Sequence, residues 1–349
     1  MLFRSWIGNP DLKWETTKQT DFGVDFGFFN QRLTGSFDYY YKKTNDILVQ
    51  TPYIAAMGEG GEPWVNGASM NNQGVEFTVS FKSDPSSEFQ WAVSANIGTY
   101  KTELTDLPSN VINKYAGDGV HDLILGRSPN SAYGLVADGI FKTQEEVDAH
   151  ADQPGKAVGR IRYKDLDGDG VINETYDRTW IGCYDPDFFG GLNFDFAYKG
   201  FDLNLFFEGM FGNDVNSDWK KESDIWLFTN PAWKNHATRM LGGWSPDNPN
   251  SDIPAISNNT ANQEQRFSSW FIEDGSYIKL RNIELGYTFP TKLIKKMHMS
   301  NLRLYAAAYN VFTLKKFWGD DKYTSFDPER PSYHYLTPFT FNFGINVSF

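Results

Sequence analysis

Apolar and polar residues alternate with a period of two at the end of this chain, and few folds accommodate such a pattern. From Phe339 to Phe349 the odd positions are Phe, Phe, Phe, Ile, Val and Phe, whereas the even positions are Thr, Asn, Gly, Asn and Ser. Successive side chains of a β-strand point to opposite sides of the sheet. The segment is therefore predicted to be a strand with one apolar and one polar face. Because chain termini usually fray, its aromatic last residue indicates an end that is held in place.

The same alternation recurs along the chain and predicts nine strands. No charged residue interrupts the apolar positions of these segments. The strands are expected near residues 16–28, 33–49, 75–81, 89–97, 192–198, 201–207, 283–289, 302–308 and 339–349. The segment SAYGLVADGIF is also strand-like, so the count is nine or eleven.

The connections between these strands alternate between short and long. The short ones are FNQR, KSDPSSE, KG and PTKLIKKMHMS, and the long ones span about 50–72, 101–187, 212–275 and 313–338. Outer-membrane barrels have tight periplasmic turns and long extracellular loops. Aromatic residues, 17% of the chain, also gather near the short turns, as in an interfacial belt. The fold class indicated is all-β, an antiparallel transmembrane β-barrel; the alternative is a soluble β-sandwich, which usually has strands of about five or six residues.

Charge and residue types exclude several functional classes. A formal net charge of −12 argues against nucleic acid, since a surface that follows phosphates needs clustered Lys and Arg. The single cysteine, Cys183, excludes an intramolecular disulfide framework and a cysteine-based zinc site. The five histidines are scattered, and neither HExxH nor Gly-x-Ser-x-Gly occurs. The protein is therefore not expected to be an enzyme.

The clearest metal-binding signal is the stretch DLDGDGVIN, which starts at residue 165. Oxygen ligands at alternating positions, with a glycine at the turn, are typical of a Ca²⁺ loop. Position twelve is Tyr176 instead of Glu, and no helical pattern clearly flanks the loop. We therefore expect structural Ca²⁺ rather than an EF-hand switch; the alternative is an Asp/Gly turn without metal. The candidate ligands are Asp165, Asp167, Asp169, the carbonyl of Val171, Asn173 and Asp177.

A second candidate site is formed by tryptophans of the long loops. Aromatic rings beside hydrogen-bonding side chains suit the faces of sugars. The alternative is that these rings pack the loops together or meet a partner protein. The candidates for substrate or partner contact are Trp64, Trp226, Trp233, Trp270 and Trp318.

Several blocks, in order along the chain, resemble one family. They are NPDLKWETTKQTDFGVDFGFFNQRLTGSFDYYYKKTNDIL, MNNQGVEFTVSF, IRYKDLDGDGVINETYDRTWIG, PDFFGGLNFDFAYKGFDLNLFFEGMFGND, WSPDNPNSDIP, DGSYIKLRNIELGYTFP, and AYNVFTLKKFWGDD followed by FDPE. These blocks are similar to the C-terminal barrel portion of SusC/RagA-type TonB-linked outer-membrane proteins (TonB-dependent receptors). The resemblance covers nearly the whole chain.

This resemblance implies a 22-stranded barrel in the outer membrane of a Gram-negative bacterium, with an N-terminal plug domain and energisation by TonB. It also implies a SusD-like surface lipoprotein that helps capture oligosaccharides or, in some members, peptides. On this interpretation residues 1–349 supply the last nine strands, the plug domain and TonB box are absent from the sequence, and the chain is a fragment. The expected partners are therefore the lipoprotein, TonB, outer-membrane lipid and the substrate.

The predicted function is TonB-dependent uptake of large nutrients, above all oligosaccharides, with a peptide importer of the same family as one alternative. A secreted calcium-dependent carbohydrate-binding β-protein is the alternative from another class, and an adhesin or porin without TonB coupling is a third. An open part of a barrel leaves backbone groups of its edge strands without partners in lipid. The 349-residue chain alone is therefore not expected to conduct ions as a monomer.

Overall fold

The chain folds into fifteen described strands, nine of which form one large sheet. A computed structural model describes residues 9–50, 64–225, 236–257, 263–315, 324–332 and 335–349. In chain order the strands are β1 (Thr16–Phe28), β2 (Leu33–Gln50), β3 (Trp64–Lys82), β4 (Phe89–Asp106), β5 (Ser131–Leu135), β6 (Ala137–Ile140), β7 (Ile161–Tyr163), β8 (Arg178–Cys183), β9 (Phe188–Tyr198), β10 (Phe201–Phe211), β11 (Asp214–Asn216), β12 (Ile272–Asp274), β13 (Tyr277–Thr288), β14 (Asn301–Lys315) and β15 (Thr340–Ser348).

The large sheet has the order β1-β2-β3-β4-β9-β10-β13-β14-β15, and all its pairs are antiparallel. It contains the nine strands that the alternation predicts, which confirms the all-β antiparallel fold class. The strands β3, β4 and β14 extend well beyond the predicted segments, because the strands continue past the apolar positions into the long connections. SAYGLVADGIF forms β5 and β6, which pair with β8 and β7 in small separate sheets.

The register keeps the apolar positions of all nine strands on one face. Phe22 pairs with Tyr39, Phe37 with Phe77, and Leu304 with Ile345. Many of these side chains stay exposed, including Phe22 at 64% and Phe343 at 82%. A soluble sandwich would bury such a face against a second sheet, whereas in the described residues many side chains of this face stay exposed.

The short connections are tight turns with left-handed backbone. Lys199 (φ 48°) and Gly200 (φ 89°) form the two-residue connection between β9 and β10. Positive φ at both central residues gives a turn whose twist matches that of the flanking strands. The turn from β1 to β2 uses three residues with positive φ, namely Phe29, Asn30 and Gln31.

The buried core lies in the long connections rather than in the sheet. Leu135, Ile140, Ile161, Tyr163 and Phe271 are among the residues of its main cluster, and all are buried. They come from three separate stretches of the chain, so the long connections fold together into one body around this cluster, here called the outer body. A smaller cluster around Leu104 and Ile124 packs where β4 leaves the sheet.

Helices contribute little to this fold. The α-helices are α1 (Gln144–Ala149), α2 (Asp218–Lys220) and α3 (Thr291–Ile294). Thr143 caps α1 by accepting a hydrogen bond from the amide of Glu146, which satisfies one otherwise unpaired donor. Among the described residues, no helix has the length and apolar character that crossing a bilayer requires.

The large sheet is not closed. Its order begins at β1 and ends at β15, and within the described residues neither of these strands has a second neighbour in the sheet. An edge strand presents unpaired N–H and C=O groups along its length.

Candidate functional site

The Asp165 loop lies between two strands in the outer body. It follows β7 and ends at β8, so no helix adjoins it on either side within the described residues. Gly168 (φ 75°) and Gly170 (φ 84°) take left-handed conformations that let the loop fold back on itself. The amide of Asp152 donates to the carbonyl of Gly170, and Ile172 donates to the carbonyl of Asp152, which anchors the loop to the preceding segment.

Three of the predicted ligands come together in this loop. Carboxylate oxygens of Asp165, Asp167 and Asp177 lie within 4.8 Å of one another. Asp177 is fully buried and accepts hydrogen bonds from the amides of Leu166 (2.8 Å) and Asn173 (2.7 Å). Asp177, which directly follows position twelve of the Ca²⁺-loop pattern, is thus part of the folded loop.

Of the other three predicted ligands only Asp169 carries a carboxylate, and it lies outside this group. Asp169 accepts from the amide of Val171 at 2.7 Å. Asn173 turns its side-chain oxygen toward the amides of Thr175 (2.9 Å) and Tyr176 (3.0 Å). These contacts are those of a tight Asp/Asn turn.

The pKa values of two acids in the loop shift in opposite directions. Burial acts to raise the pKa of Asp165, but amides of Gly170 and Gly168 donate to its carboxylate and hold the pKa below its usual value. At Asp167 the amide of Asp169 acts to lower the pKa, yet desolvation and the charges of Asp169 and Asp177 together raise it. Clustered negative charge of this kind favours a bound cation.

Of the five candidate tryptophans, the structure describes two. Trp270 lies in a 3₁₀ turn (Ser269–Phe271) and packs against the main core cluster. Trp64, which the sequence places in a loop, is instead the first residue of β3 and is 47% exposed. The positions of Trp226, Trp233 and Trp318 lie outside the described residues.

Trp270 lines a cleft of 530 Å³ in the outer body. The ammonium of Lys220 lies 4.8 Å from the centroid of its ring and donates to its backbone carbonyl at 2.6 Å. The same ammonium is 3.6 Å from a carboxylate oxygen of Glu273. The cleft thus combines one aromatic ring with charged and hydroxyl side chains. Its other polar lining residues are Arg239, Asp252, Ser269 and Asp274.

Segment 324–332 is tethered to the sheet and the outer body. Lys279 of β13, which is 2% exposed, contacts Asp327 at 3.0 Å and also Glu329. Arg281 contacts Glu329 as well. The hydroxyl of Thr324 donates to Glu273 at 2.8 Å. Sequence reasoning assigned these residues no role, because their spacing along the chain gives no sign that they meet.

The polar face of β10, β13 and β14 carries paired charges. The guanidinium of Arg303 contacts both Asp202 (Nε to Oδ1, 3.0 Å) and Glu284 (2.7 Å). That of Arg281 contacts Glu208 (Nε to Oε2, 2.8 Å). Charges on one face and rings on the other give the sheet an aqueous side and an apolar side.

Comparison with known proteins identifies the family. Residues 3–311 match the family described as TonB dependent receptor-like, beta-barrel. The chain belongs to this family. It is 32% identical to TonB-dependent receptor P3 of Formosa agariphila over 98% of its length, and 27% identical to TonB-dependent receptor SusC of Bacteroides thetaiotaomicron, also over 98%. A solved structure of the RagAB peptide transporter superposes with a TM-score of 0.76 at 25% identity over 99% of the chain.

The chain spans about a third of the length of these relatives: 35% of receptor P3, 32% of SusC and 36% of the RagAB chain. The predicted SusC/RagA-type barrel relationship is confirmed. Receptors of this family are outer-membrane transporters of Gram-negative bacteria rather than enzymes. In this chain the exposed rings therefore belong to the barrel wall, and the body of long connections lies beyond one end of that wall.

Proposed function

We propose that this chain supplies part of the barrel wall and the outer loops of a receptor that imports large nutrients across the outer membrane with energy from TonB. The observation that carries the proposal is a nine-stranded wall joined to a folded outer body with an open cleft, in a chain of the TonB-dependent receptor family. A wall with one apolar face resides in lipid, and an outer body with a cleft contacts solute before it enters.

Oligosaccharides are the proposed substrates. The cleft around Trp270 supports this class, because sugar rings stack on aromatic faces while their hydroxyls bond to side chains such as Asp252 and Ser269. Its size also falls in the range of about 300–1,000 Å³ that is usual for small-molecule sites.

Peptides are the second candidate, and the similarity to the RagAB peptide transporter favours them. The cleft is rich in charge, with Lys220, Arg239, Asp252 and Glu273 among its lining residues. Charges of both signs suit the termini and side chains of peptides.

The experiment compares both classes on the receptor in its natural length, purified from outer membranes. Calorimetric titration with a panel of neutral oligosaccharides and a panel of short peptides should give saturable binding for sugars, and Trp270→Ala should weaken it about tenfold or more by loss of ring contact. Phe326→Ala removes an exposed ring outside the cleft and is the matched control. Binding of peptides alone would contradict the glycan assignment. Uptake that continues after TonB is deleted would contradict the transport proposal itself.

A SusD-like surface lipoprotein is the proposed partner. Similarity to SusC and to a chain of RagAB supports it, and exposed rings such as Trp64 suit protein contact. Affinity purification of the receptor from its host tests this. A stoichiometric lipoprotein encoded beside the receptor gene is expected, and its absence from gently solubilised membranes would contradict the proposal.

A structural Ca²⁺ ion is proposed for the Asp165 loop. Ca²⁺ takes six to eight oxygen ligands at about 2.3–2.6 Å, and the three clustered carboxylates provide hard oxygens close enough to share one ion. When bound, the ion would neutralise their mutual repulsion. Asp165, Asp167 and Asp177 would hold it.

Thermal unfolding with and without Ca²⁺ tests this site. Ca²⁺ should raise the Tm of the receptor, and Asp167→Asn should abolish most of that increase. Asp118→Asn is the control, because Asp118 also accepts several loop amides yet lies outside the carboxylate group. An identical Ca²⁺-dependent rise in Asp167→Asn would show that the loop is an Asp/Gly turn without metal.

A further inference from the structure

The apolar face of the sheet contains a groove where two glycines meet. Gly190 of β9 pairs with Gly209 of β10, and the same row continues to Ile97 on β4 and Ile278 on β13. Because neither glycine has a side chain, the surface of the sheet is concave between Ile97 and Ile278. The resulting cavity has a volume of 430 Å³.

Aromatic side chains bound the groove at both ends. Phe188 and Phe211 stack on the side of the outer loops, with their ring centroids 4.8 Å apart. Phe194 and Phe207 meet edge to face on the side of the short turns, at 6.2 Å. Apart from Asn96 and Glu208, whose strand positions belong to the polar face, every lining residue is apolar or glycine.

The groove lies near the outer surface of the membrane. A strand rises about 3.3 Å per residue and tilts by about 40° in such barrels, so the path from Gly190 to Tyr198 puts the glycine pair roughly 20 Å above the β9–β10 turn. The apolar band of these barrels is about 25 Å tall. The glycine pair therefore faces the hydrocarbon of the outer leaflet.

Position and chemistry together determine the occupant. The groove is continuous with the exposed apolar face that meets lipid in this family, and its lining offers a ligand no charge on that face. Lys101 lies on the same face of β4, beyond Ile97 toward the outer surface. Its ammonium pairs with Glu103 at 2.5 Å, and its side chain is 68% exposed. The exposed side of this ammonium lies above the apolar groove, as a phosphate headgroup lies above an acyl chain.

We propose that the groove at Gly190 and Gly209 is a specific lipid site, which holds one acyl chain of a phosphate-bearing outer-leaflet lipid. The groove differs from the surrounding wall because its concave surface contacts the acyl chain from several sides. Each methylene group of the lipid that packs against the groove adds to the affinity. The site lies on the opposite face of the wall from the aqueous path and is independent of the transported solute.

The test measures how much lipid the receptor retains. The receptor in its natural length is stripped in detergent, exposed to vesicles of phosphatidylethanolamine and phosphatidylglycerol, and examined by native mass spectrometry. Gly209→Leu fills the groove, since a Cβ there points toward Phe211 and Ile278. Ile97→Trp fills it from β4 and covers the case in which the glycine variant fails to fold. Leu304→Phe adds bulk on the same face outside the groove.

Both groove variants should retain about tenfold less tightly held lipid than the native protein, because excluding about two methylene groups corresponds to that factor. Leu304→Phe should retain the native amount. Lys101→Gln should reduce retention of phosphatidylglycerol. Heat-modifiable migration on gels verifies that each variant is folded. Equal retention in the groove variants and the control would show that the groove holds only exchangeable surrounding lipid, and would overturn the proposal.

Discussion

At the scale of single residues, the most consequential side chain is Lys279. It is buried and contacts two carboxylates of a segment about fifty positions away, Asp327 and Glu329. A buried charge is tolerated only with partners, and removing one member of such a group leaves the others uncompensated. Lys279 therefore helps to hold segment 324–332 on the wall, together with Arg281 and Thr324.

Lys279→Ala is expected to destabilise this tether by about 3–5 kcal/mol, because the buried Asp327 loses its counter-charge, whereas Glu329 keeps Arg281. Limited proteolysis within 324–332 and the Tm of the purified receptor measure the effect. Lys199→Ala is the matched control, since Lys199 pairs with Glu88 at the surface, where ion pairs add little. Equal protease resistance of the two variants would contradict the role of Lys279.

His150 gives the outer body a defined response to pH. Its ring packs on the buried Phe141, and burial, with the nearby charges of Arg162 and Lys156, lowers its pKa below the usual 6.5. Below pH 6.5 the unfolded chain binds a proton that the folded chain does not, so stability falls as the pH falls through that value.

His150→Gln should flatten the dependence of Tm on pH between about 7 and 5. An unchanged slope in His150→Gln would show that His150 is not the sensor.

At the scale of elements, the β9–β10 hairpin depends on its two-residue turn. Gly200 has a φ of 89°, and a Cβ there would lie 2.7 Å from the carbonyl oxygen of Thr288. A side chain at position 200 would be strained by the left-handed backbone, and it would also clash with β13. The turn fixes the register of Phe201 against Tyr198, and a slip by one residue would exchange the apolar and polar faces of the hairpin.

Gly200→Val should reduce the amount of folded receptor in the outer membrane, since the left-handed backbone alone costs about 1–2 kcal/mol and the clash adds to it. Lys199→Asn, next to it, should be neutral because Asn tolerates a positive φ. Quantifying heat-modifiable receptor in isolated membranes checks both. Normal assembly of Gly200→Val would mean that the strands set their register without the turn.

At the scale of the whole molecule, the two faces of the sheet define its orientation toward lipid. Phe343 and its neighbour Asn342 lie on opposite faces of β15, opposite Ala306 and Ala307 of β14. Phe343→Arg should deplete the receptor from the outer membrane, because Arg on the lipid face near the midplane costs about 2–4 kcal/mol. Asn342→Arg should be tolerated in the aqueous interior. Comparable depletion of both variants, measured by immunoblotting of outer-membrane fractions, would refute this assignment of faces.

The open edges of the sheet belong to the same scale. Neither β1 nor β15 has a second neighbour in the sheet within the described residues, and in lipid each unpaired backbone group is costly. The chain spans about a third of its relatives. Such edges are stable in lipid only when other strands pair with them.

Much of the wall was predictable from the sequence, and much of the outer body was not. Period-two alternation determines the nine strands and their faces, because side-chain direction in a strand depends only on local geometry. The pairing of β4 with β9 follows once β5 to β8 are recognised as lying outside the large sheet. The length of the connection that contains β5 to β8 makes this pairing hard to recognise in the sequence. Strand ends such as that of β3 at Trp64 were missed, since the alternation fades where a strand leaves the membrane.

The residue pattern was enough to predict an alternating antiparallel wall, the family, the aspartate-rich loop and the exclusion of a cysteine-based zinc site. Three contacts become visible only in the folded chain: Asp177 joins Asp165 and Asp167 while Asp169 does not, Lys279 is buried against Asp327 and Glu329, and Gly190 meets Gly209. The physical reason is the range of the interactions. Strand periodicity depends on neighbouring residues. These contacts instead join residues that are separated along the chain, and the register of the strands and the packing of the loops bring them together.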